Sequence, residues 1–239
     1  MKTQDSLGVV GGVGPRATAY FLERLVDLTE VTEDQEHISA VILNNTAIPD
    51  RTRFILQKDS RNPFVELLRC CQLLESLNVR LIAIPCNTSH YFYDELIQMV
   101  KTPIVHMQRV VAEELACLKA KKNGIMATTG SVCAGLFQRA FAEANLDYML
   151  PDDGCQQRIM DLIYAGVKVG RMPGKEEFLE LADVFLKAGC DRIVLGCTEL
   201  SILKKMHNLG PVFVDTLDAA VKCIIKYFGK SVRRDRYGR

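Results

Sequence analysis

No hydrophobic run in this sequence approaches the roughly 18 apolar residues a membrane span needs. The first apolar run, Leu7 to Val10, is short and follows the polar stretch Met1 to Ser6. No secretory leader is expected, and the chain is placed in the cytoplasm. Net charge is also scarce: 30 basic side chains meet 29 acidic ones. That leaves no global field to draw the protein onto nucleic acid or an anionic membrane. There is no Cys-x-x-Cys pair and no His at zinc-finger distance from a Cys, so no metal site is expected. The nine cysteines are odd in number, in a chain without an export signal, which argues against a disulfide framework. Gly-x-Gly-x-x-Gly is missing too. Gly11, Gly12 and Gly14 are wrongly spaced for a dinucleotide loop and Pro15 follows them. They are expected to bring backbone close to a small ligand, with Gly12 facing it.

What is present is an ordinary globular composition, 48% hydrophobic and 25% charged over 239 residues, enough for one large or two small domains. The basic end, Arg233, Arg234, Arg236 and Arg239, reads as a solvated tail. Cys70, Cys71, Cys117, Cys133, Cys155, Cys190 and Cys223 lie in helix-like segments or loops with nothing polar organised after them. Most should be small buried hydrophobes.

Short apolar runs alternate with helical stretches. Leu7–Val10, Ala40–Leu43, Arg80–Ile84, Ile104–His106, Gly124–Ala127, Asp147–Leu150, Arg192–Leu195 and Val212–Val214 read as buried strands. Helices are predicted at Thr18–Thr29, Pro63–Leu77, Tyr91–Val100, Gln108–Leu118, Val132–Ala144, Gln156–Gly166, Lys175–Ala188, Glu199–Lys205 and Leu217–Phe228. Such alternation implies parallel sheets covered on both faces.

The alternation repeats. The glycine-rich Gly8–Gly14 is echoed by Gly124–Gly130, and Phe21 by Phe137, both at an offset of 116 (8 to 124, 21 to 137). Leu81–Thr88 is echoed by Arg192–Glu199 at 111 (86 to 197), and Pro103-Ile104-Val105 by Pro211-Val212-Phe213 at 108 (103 to 211). The fold class expected is therefore α/β, with two similar parallel-sheet lobes related by pseudo-twofold symmetry and the active site between them. The first lobe would hold residues 1–105 plus 211–239, and the second residues 106–210. In open parallel sheets ligands sit beyond the carboxyl ends of the strands. Cys86 and Cys197 each end a strand, so the two thiols would face a small ligand from opposite sides.

Two opposed thiols suit inversion at an α-carbon, which needs a base on one face and an acid on the other. A cysteine serves as either when its pKa is lowered at a helix start. Asn87-Thr88-Ser89 and Thr198-Glu199 supply cap-type side chains and free N–H groups that can hold an α-carboxylate. Thr128, Thr129 and Ser131 would be the second lobe's counterpart of the glycine loop, or helix caps. His90, four residues after Cys86, reads first as structural, and His37, His106 and His207 carry no signal.

Ile84-Pro85-Cys86-Asn87-Thr88 and Leu195-Gly196-Cys197-Thr198-Glu199 resemble the two cysteine motifs of the aspartate/glutamate racemase superfamily. Gly11-Gly12-Val13-Gly14-Pro15, Asp34-Gln35-Glu36-His37, Asn44-Asn45, Ile48-Pro49-Asp50-Arg51-Thr52 and Ala127-Thr128-Thr129-Gly130 resemble its aspartate racemase branch. The resemblance implies a racemase acting on aspartate, with no pyridoxal phosphate, no metal and a homodimer. It implies further that Arg51, read as lying in a loop, holds the side-chain carboxylate, and that Lys168 matches a second basic residue of the site. Glutamate racemases usually carry Asp-Ser-Gly in the first loop and His after the second Cys-Thr. Here those places hold Gly11-Gly12-Val13-Gly14 and Glu199. Val13 replaces a Met common in the aspartate branch, which alters the pocket wall. Arylmalonate decarboxylases lack the first cysteine, which this chain keeps. Two other readings stay open: an isomerase of a small dicarboxylic acid, with one Cys as nucleophile, and a non-catalytic dicarboxylate-binding protein.

Overall fold

The computed structural model describes residues 5–233. Arg234, Arg236 and Arg239 of the basic end lie outside them. Arg233 is exposed, and its N–H donates to the Leu28 carbonyl at 2.7 Å.

Among the described residues seven strands form two wholly parallel sheets. β1 (Leu7–Gly11), β2 (Ala40–Asn44) and β3 (Leu81–Ala83) make the first, in the order β2-β1-β3. β4 (Lys122–Ala127), β5 (Asp147–Met149), β6 (Arg192–Gly196) and β7 (Phe213–Asp215) make the second, in the order β5-β4-β6-β7. The register pairs Leu7 with Ala40 and Leu81 in one sheet, and Asn123 with Arg192 in the other. The central strands β1, β4 and β6 are almost wholly buried, as continuous apolar runs in a sheet covered on both faces must be. The repeat seen in the sequence is thus a repeat of strand order. The strand expected at Ile104–His106 shrinks to one parallel bridge, Ile82 to Ile104, at the place where β7 flanks β6 in the other sheet.

Eleven α-helices cover the sheets among the described residues. The first lobe carries α1 (Pro15–Leu28), α2 (Arg51–Ile55), α3 (Pro63–Ser76) and α4 (Tyr93–Met99), with α5 (Met107–Cys117) following. After β4 come α6 (Thr129–Cys133), α7 (Leu136–Glu143), α8 (Asp153–Asp161), α9 (Lys175–Lys187), α10 (Thr198–Met206) and α11 (Thr216–Tyr227). Pro15 starts α1 earlier than its apolar spacing predicts, at a position where a missing N–H costs nothing. The helix predicted over Val132–Ala144 is two helices, because Gly135 takes the left-handed conformation (φ 67°) between α6 and α7. Arg51 is not in a loop. It opens α2, a helix too short to show a periodicity, capped by the Asp50 carboxylate accepting from Arg53 N–H at 2.8 Å.

The chain's end divides between the lobes. The expectation put everything from residue 211 on in the first lobe, but β7 pairs with β6 in the second sheet, Ile193 opposite Phe213. α11 does cross back: Leu217, Val221, Ile224 and Ile225 pack with Leu7, Val9, Phe21 and Leu25 in one buried core. Asp215 marks the crossing, ending β7 and capping α11 through Leu217 N–H at 2.8 Å. Among the described residues, no helix is long and apolar enough to cross a membrane.

Candidate active site

Both cysteines stand where a strand hands over to a helix. Cys86 follows β3 and caps the 3-10 helix Asn87–Phe92; Cys197 follows β6 and caps α10. Both are extended, with φ of −152° and −140°, and both are nearly buried, 7% and 6% exposed. The side chains expected to cap these helices do not: neither start has a side-chain cap bond. The Asn87 amide instead donates to the Thr216 hydroxyl at 2.8 Å, and Gln108 donates to Asn87 Oδ1 at 3.1 Å. That network ties the Cys86 turn to the foot of α11.

A narrow cleft between the lobes takes in both thiols. Of the residues singled out in the sequence, Arg51, Cys86, Asn87, Thr88, Thr128, Lys168, Cys197, Thr198 and Glu199 line it. So does Val13, read in the sequence as part of the pocket wall, and Thr52 and Tyr164 line it too. Gly12 and Thr129 do not. Gly12 (φ 81°) lies against the Asn45 main chain, where any Cβ would collide, and donates its N–H to the Thr18 hydroxyl at 3.0 Å. It shapes the turn. Thr129 turns toward α8, its hydroxyl accepting from Gln156 at 3.3 Å. Thr128 both caps α6, accepting from Ser131 N–H at 3.2 Å, and reaches the cleft.

The charges around the thiols differ between lobes. Arg51 is 6% exposed and lines the cleft together with Cys86. Burial works against its charge, but Cys86, Asp50 and Tyr164 outweigh that and hold it protonated. Nη1 donates to the Pro49 carbonyl at 2.9 Å, while Nε is buried with no partner among the described residues. A buried donor left open beside a cleft is an invitation to an anionic ligand.

On the other side, Cys197 Sγ donates to Glu199 Oε2 at 2.9 Å and Lys168 Nζ lies 2.8 Å from Glu199 Oε1. Burial raises the Cys197 thiol pKa well above its ordinary value, and the Glu199 carboxylate adds to that; Lys168 opposes both. For Glu199 burial favours the neutral form, yet Lys168 prevails and its pKa is lowered. Lys168 is likewise kept charged against its burial by Glu199.

Tyr164 was not foreseen. The helix predicted to run through Gly166 ends as α8 and continues as a π turn, Leu162–Gly166, then a 3-10 turn, Val167–Val169. That interruption presents Tyr164 and Lys168 to the cleft together, Nζ 5.2 Å from the ring centroid. The Tyr164 hydroxyl then donates across the lobes to Asp50 at 2.9 Å, clamping the start of α2. The four-residue spacing of Tyr164 and Lys168 on a helical stretch was the available signal.

His90 does not touch the thiol. Its ring nitrogens lie 3.0 Å from the main-chain carbonyls of Cys86 and Val105, and burial keeps it neutral, so it fixes the Cys86 turn. His106, pushed down to about 3 by burial, caps α5 by accepting from Arg109 N–H. Among the described residues no group of three or more His, Cys, Asp or Glu is arranged to hold a metal ion.

The site can be set beside known proteins. A broad specificity amino-acid racemase, RacX, of Bacillus subtilis is 23% identical over 226 residues, 92% of this chain and 97% of its own. The aspartate racemase of Picrophilus torridus superposes with a TM-score of 0.82 at 27% identity, covering 95% of this chain and 96% of its own. The Francisella tularensis glutamate racemase, solved with D-glutamate, shares the fold at a TM-score of 0.65 and 16% identity, covering 96% of this chain and 82% of its own. Residues 10–224, nearly the whole described chain, match the Asp/Glu/hydantoin racemase family, and the chain belongs to that family.

Proposed function

We propose that this protein is an amino-acid racemase that interconverts L- and D-aspartate through Cys86 and Cys197, without pyridoxal phosphate or metal. The observation that carries this reading is the cleft itself. Two nearly buried cysteines, each at the end of the equivalent strand of a repeated sheet, line it from different lobes. One thiolate takes the α-hydrogen as a proton from one face. The other thiol gives its proton to the opposite face of the carbanion. The two sulfurs exchange protonation states and the product is the mirror image.

The remaining cleft residues fit an acidic substrate. Main-chain N–H groups at the very start of the helices after Cys86 and Cys197 suit the α-carboxylate. The open Nε of Arg51 suits the second carboxylate. Kinship with an aspartate racemase and with a broad specificity racemase supports the reaction and leaves aspartate as the part to test. The homodimer implied by the family resemblance belongs to the same proposal, and light scattering checks it.

The test is substitution of each cysteine. Cys86→Ser and Cys197→Ser should each abolish racemisation, because a hydroxyl is too weak an acid to supply the base and one thiol serves one face. Each should still exchange the α-hydrogen of one enantiomer. Wild-type racemisation by either variant would overturn the mechanism.

A further inference from the structure

The two thiols sit in opposite electrostatic settings at nearly equal burial. Cys86 shares its side of the cleft with the Arg51 guanidinium, which Asp50 and Tyr164 also face. Cys197 meets a carboxylate, with Sγ 2.9 Å from Glu199 Oε2. Glu199 is fixed from its other side by Lys168 at 2.8 Å, and the Thr198 hydroxyl reaches Oε2 at 3.4 Å. Glu199 and Lys168 are the charged groups acting on Cys197. A charged carboxylate at 2.9 Å accepts a bond from S–H but repels S⁻. A guanidinium does the reverse, favouring S⁻ over S–H.

We infer that Glu199 holds Cys197 as the thiol, so that the resting site is poised with Cys197 as acid and Cys86 is left as the base. This rests on the two-thiol reading above. It adds the role each sulfur takes in the free enzyme, and it makes Glu199 a positioning residue that acts through Cys197.

The balance of a turnover follows. Cys86 S⁻ removes the α-hydrogen as a proton and becomes S–H. The pair of electrons left on carbon takes the Cys197 proton, leaving Cys197 as S⁻ beside the Glu199 carboxylate. That state is the disfavoured one, so the free enzyme returns to its resting form by giving a proton from Cys86 to water and taking one at Cys197. Racemisation rates cannot reveal this asymmetry. Two enantiomers have an equilibrium constant of one, so kcat/KM is the same in both directions whatever the resting form. The thiols must be read one at a time.

Iodoacetamide at near-neutral pH, applied to the intact enzyme without substrate and mapped by peptide mass spectrometry, does so. The wild type should carry adduct on Cys86 at least roughly tenfold faster than on Cys197, the ratio that one pKa unit gives. Glu199→Gln should speed Cys197 by a similar factor, leave Cys86 within about twofold, and move the pH profile of Cys197 labelling downward. Glu199→Asp, which keeps the carboxylate, should stay close to wild type. Cys71, wholly buried in the first-lobe core, labels only if a variant unfolds, so it separates a charge effect from a damaged fold. Equal labelling of the two thiols in the wild type, or an unchanged ratio in folded Glu199→Gln, would overturn the inference. Labelling needs no turnover, so racemisation assays on the same preparations judge the catalytic reading separately.

Discussion

Thr88 and Thr128, one from each lobe, bring their hydroxyl oxygens to 2.9 Å at the floor of the cleft. Ser131 closes a triangle with them at 3.0 Å from each. All three are buried, so the triangle is a polar pin between the lobes.

Thr128→Val should cost more stability than Thr88→Val. Each strands buried hydroxyls, at about 1–3 kcal/mol. Only Thr128 also caps α6, a role worth roughly a further 1 kcal/mol. Denaturant unfolding of the two variants checks the order, and the reverse order would remove the cap from the account.

Much of this was legible in the sequence because the central strands are continuous apolar runs. Val9-Val10 and Ile193-Val194-Leu195 have no alternating pattern and need none in sheets covered on both faces. The offset repeat also places Cys86 and Cys197 at equivalent strand ends. What escaped has physical reasons. α2 is five residues long, so only its Asp50 cap could announce it. Tyr164 reaches the cleft through a π turn, which no apolar period foretells. Gly12 was assigned to the ligand because a glycine permits close approach, but sequence could not show that the Asn45 backbone also lies against it. β7 stayed in the second sheet because a parallel partner for β6 lay next in the chain, while the apolar face of α11 matched the first-lobe core.

Arg51 sets the expected specificity. Arg51→Ala should lose aspartate turnover by about 30- to several-thousand-fold, the range for breaking a charge-assisted bond to a desolvated carboxylate. Turnover of any neutral amino acid should fall far less. Arg51→Lys should restore only part, since a point charge does not reproduce the planar fork. Steady-state racemisation of aspartate, glutamate and alanine by the three proteins decides it. Equal losses on all three would assign Arg51 to the fold, to Cys86 or to the α-carboxylate.

Gly14 leaves room for Glu199. A Cβ there would stand 2.9 Å from Glu199 Oε1, and its φ of 117° is one that L side chains rarely adopt. Gly14→Ala should cost about 1–3 kcal/mol in stability. It should also cut racemisation at least roughly tenfold, by pushing the carboxylate off Cys197 and Lys168. Thermal unfolding and turnover measured together check this. A destabilised variant with full activity would mean that the placement of Glu199 does not matter.

Asp215 makes stability depend on pH in the less usual direction. Burial, then the neighbouring Asp218, push its carboxyl from 3.8 up to about 6. Between those values the native state binds more protons than the unfolded chain, so this group's contribution falls as pH rises. Asp215→Asn cannot ionise. Its stability relative to wild type should therefore improve across that window, by on the order of 2 kcal/mol. Denaturant unfolding at the two ends of the window checks the sign, and a gap that stays constant would contradict it.

The central claim is that one cleft carries a proton off one face of the aspartate α-carbon and delivers another to the opposite face. Single-enantiomer aspartate incubated with the enzyme in deuterium oxide, followed by NMR and chiral chromatography, tests it most directly. The account predicts that the mirror-image product appears with deuterium at Cα from the first turnovers, in chelator-treated enzyme free of pyridoxal phosphate. Aspartate that binds but keeps both its hydrogen and its handedness would contradict it.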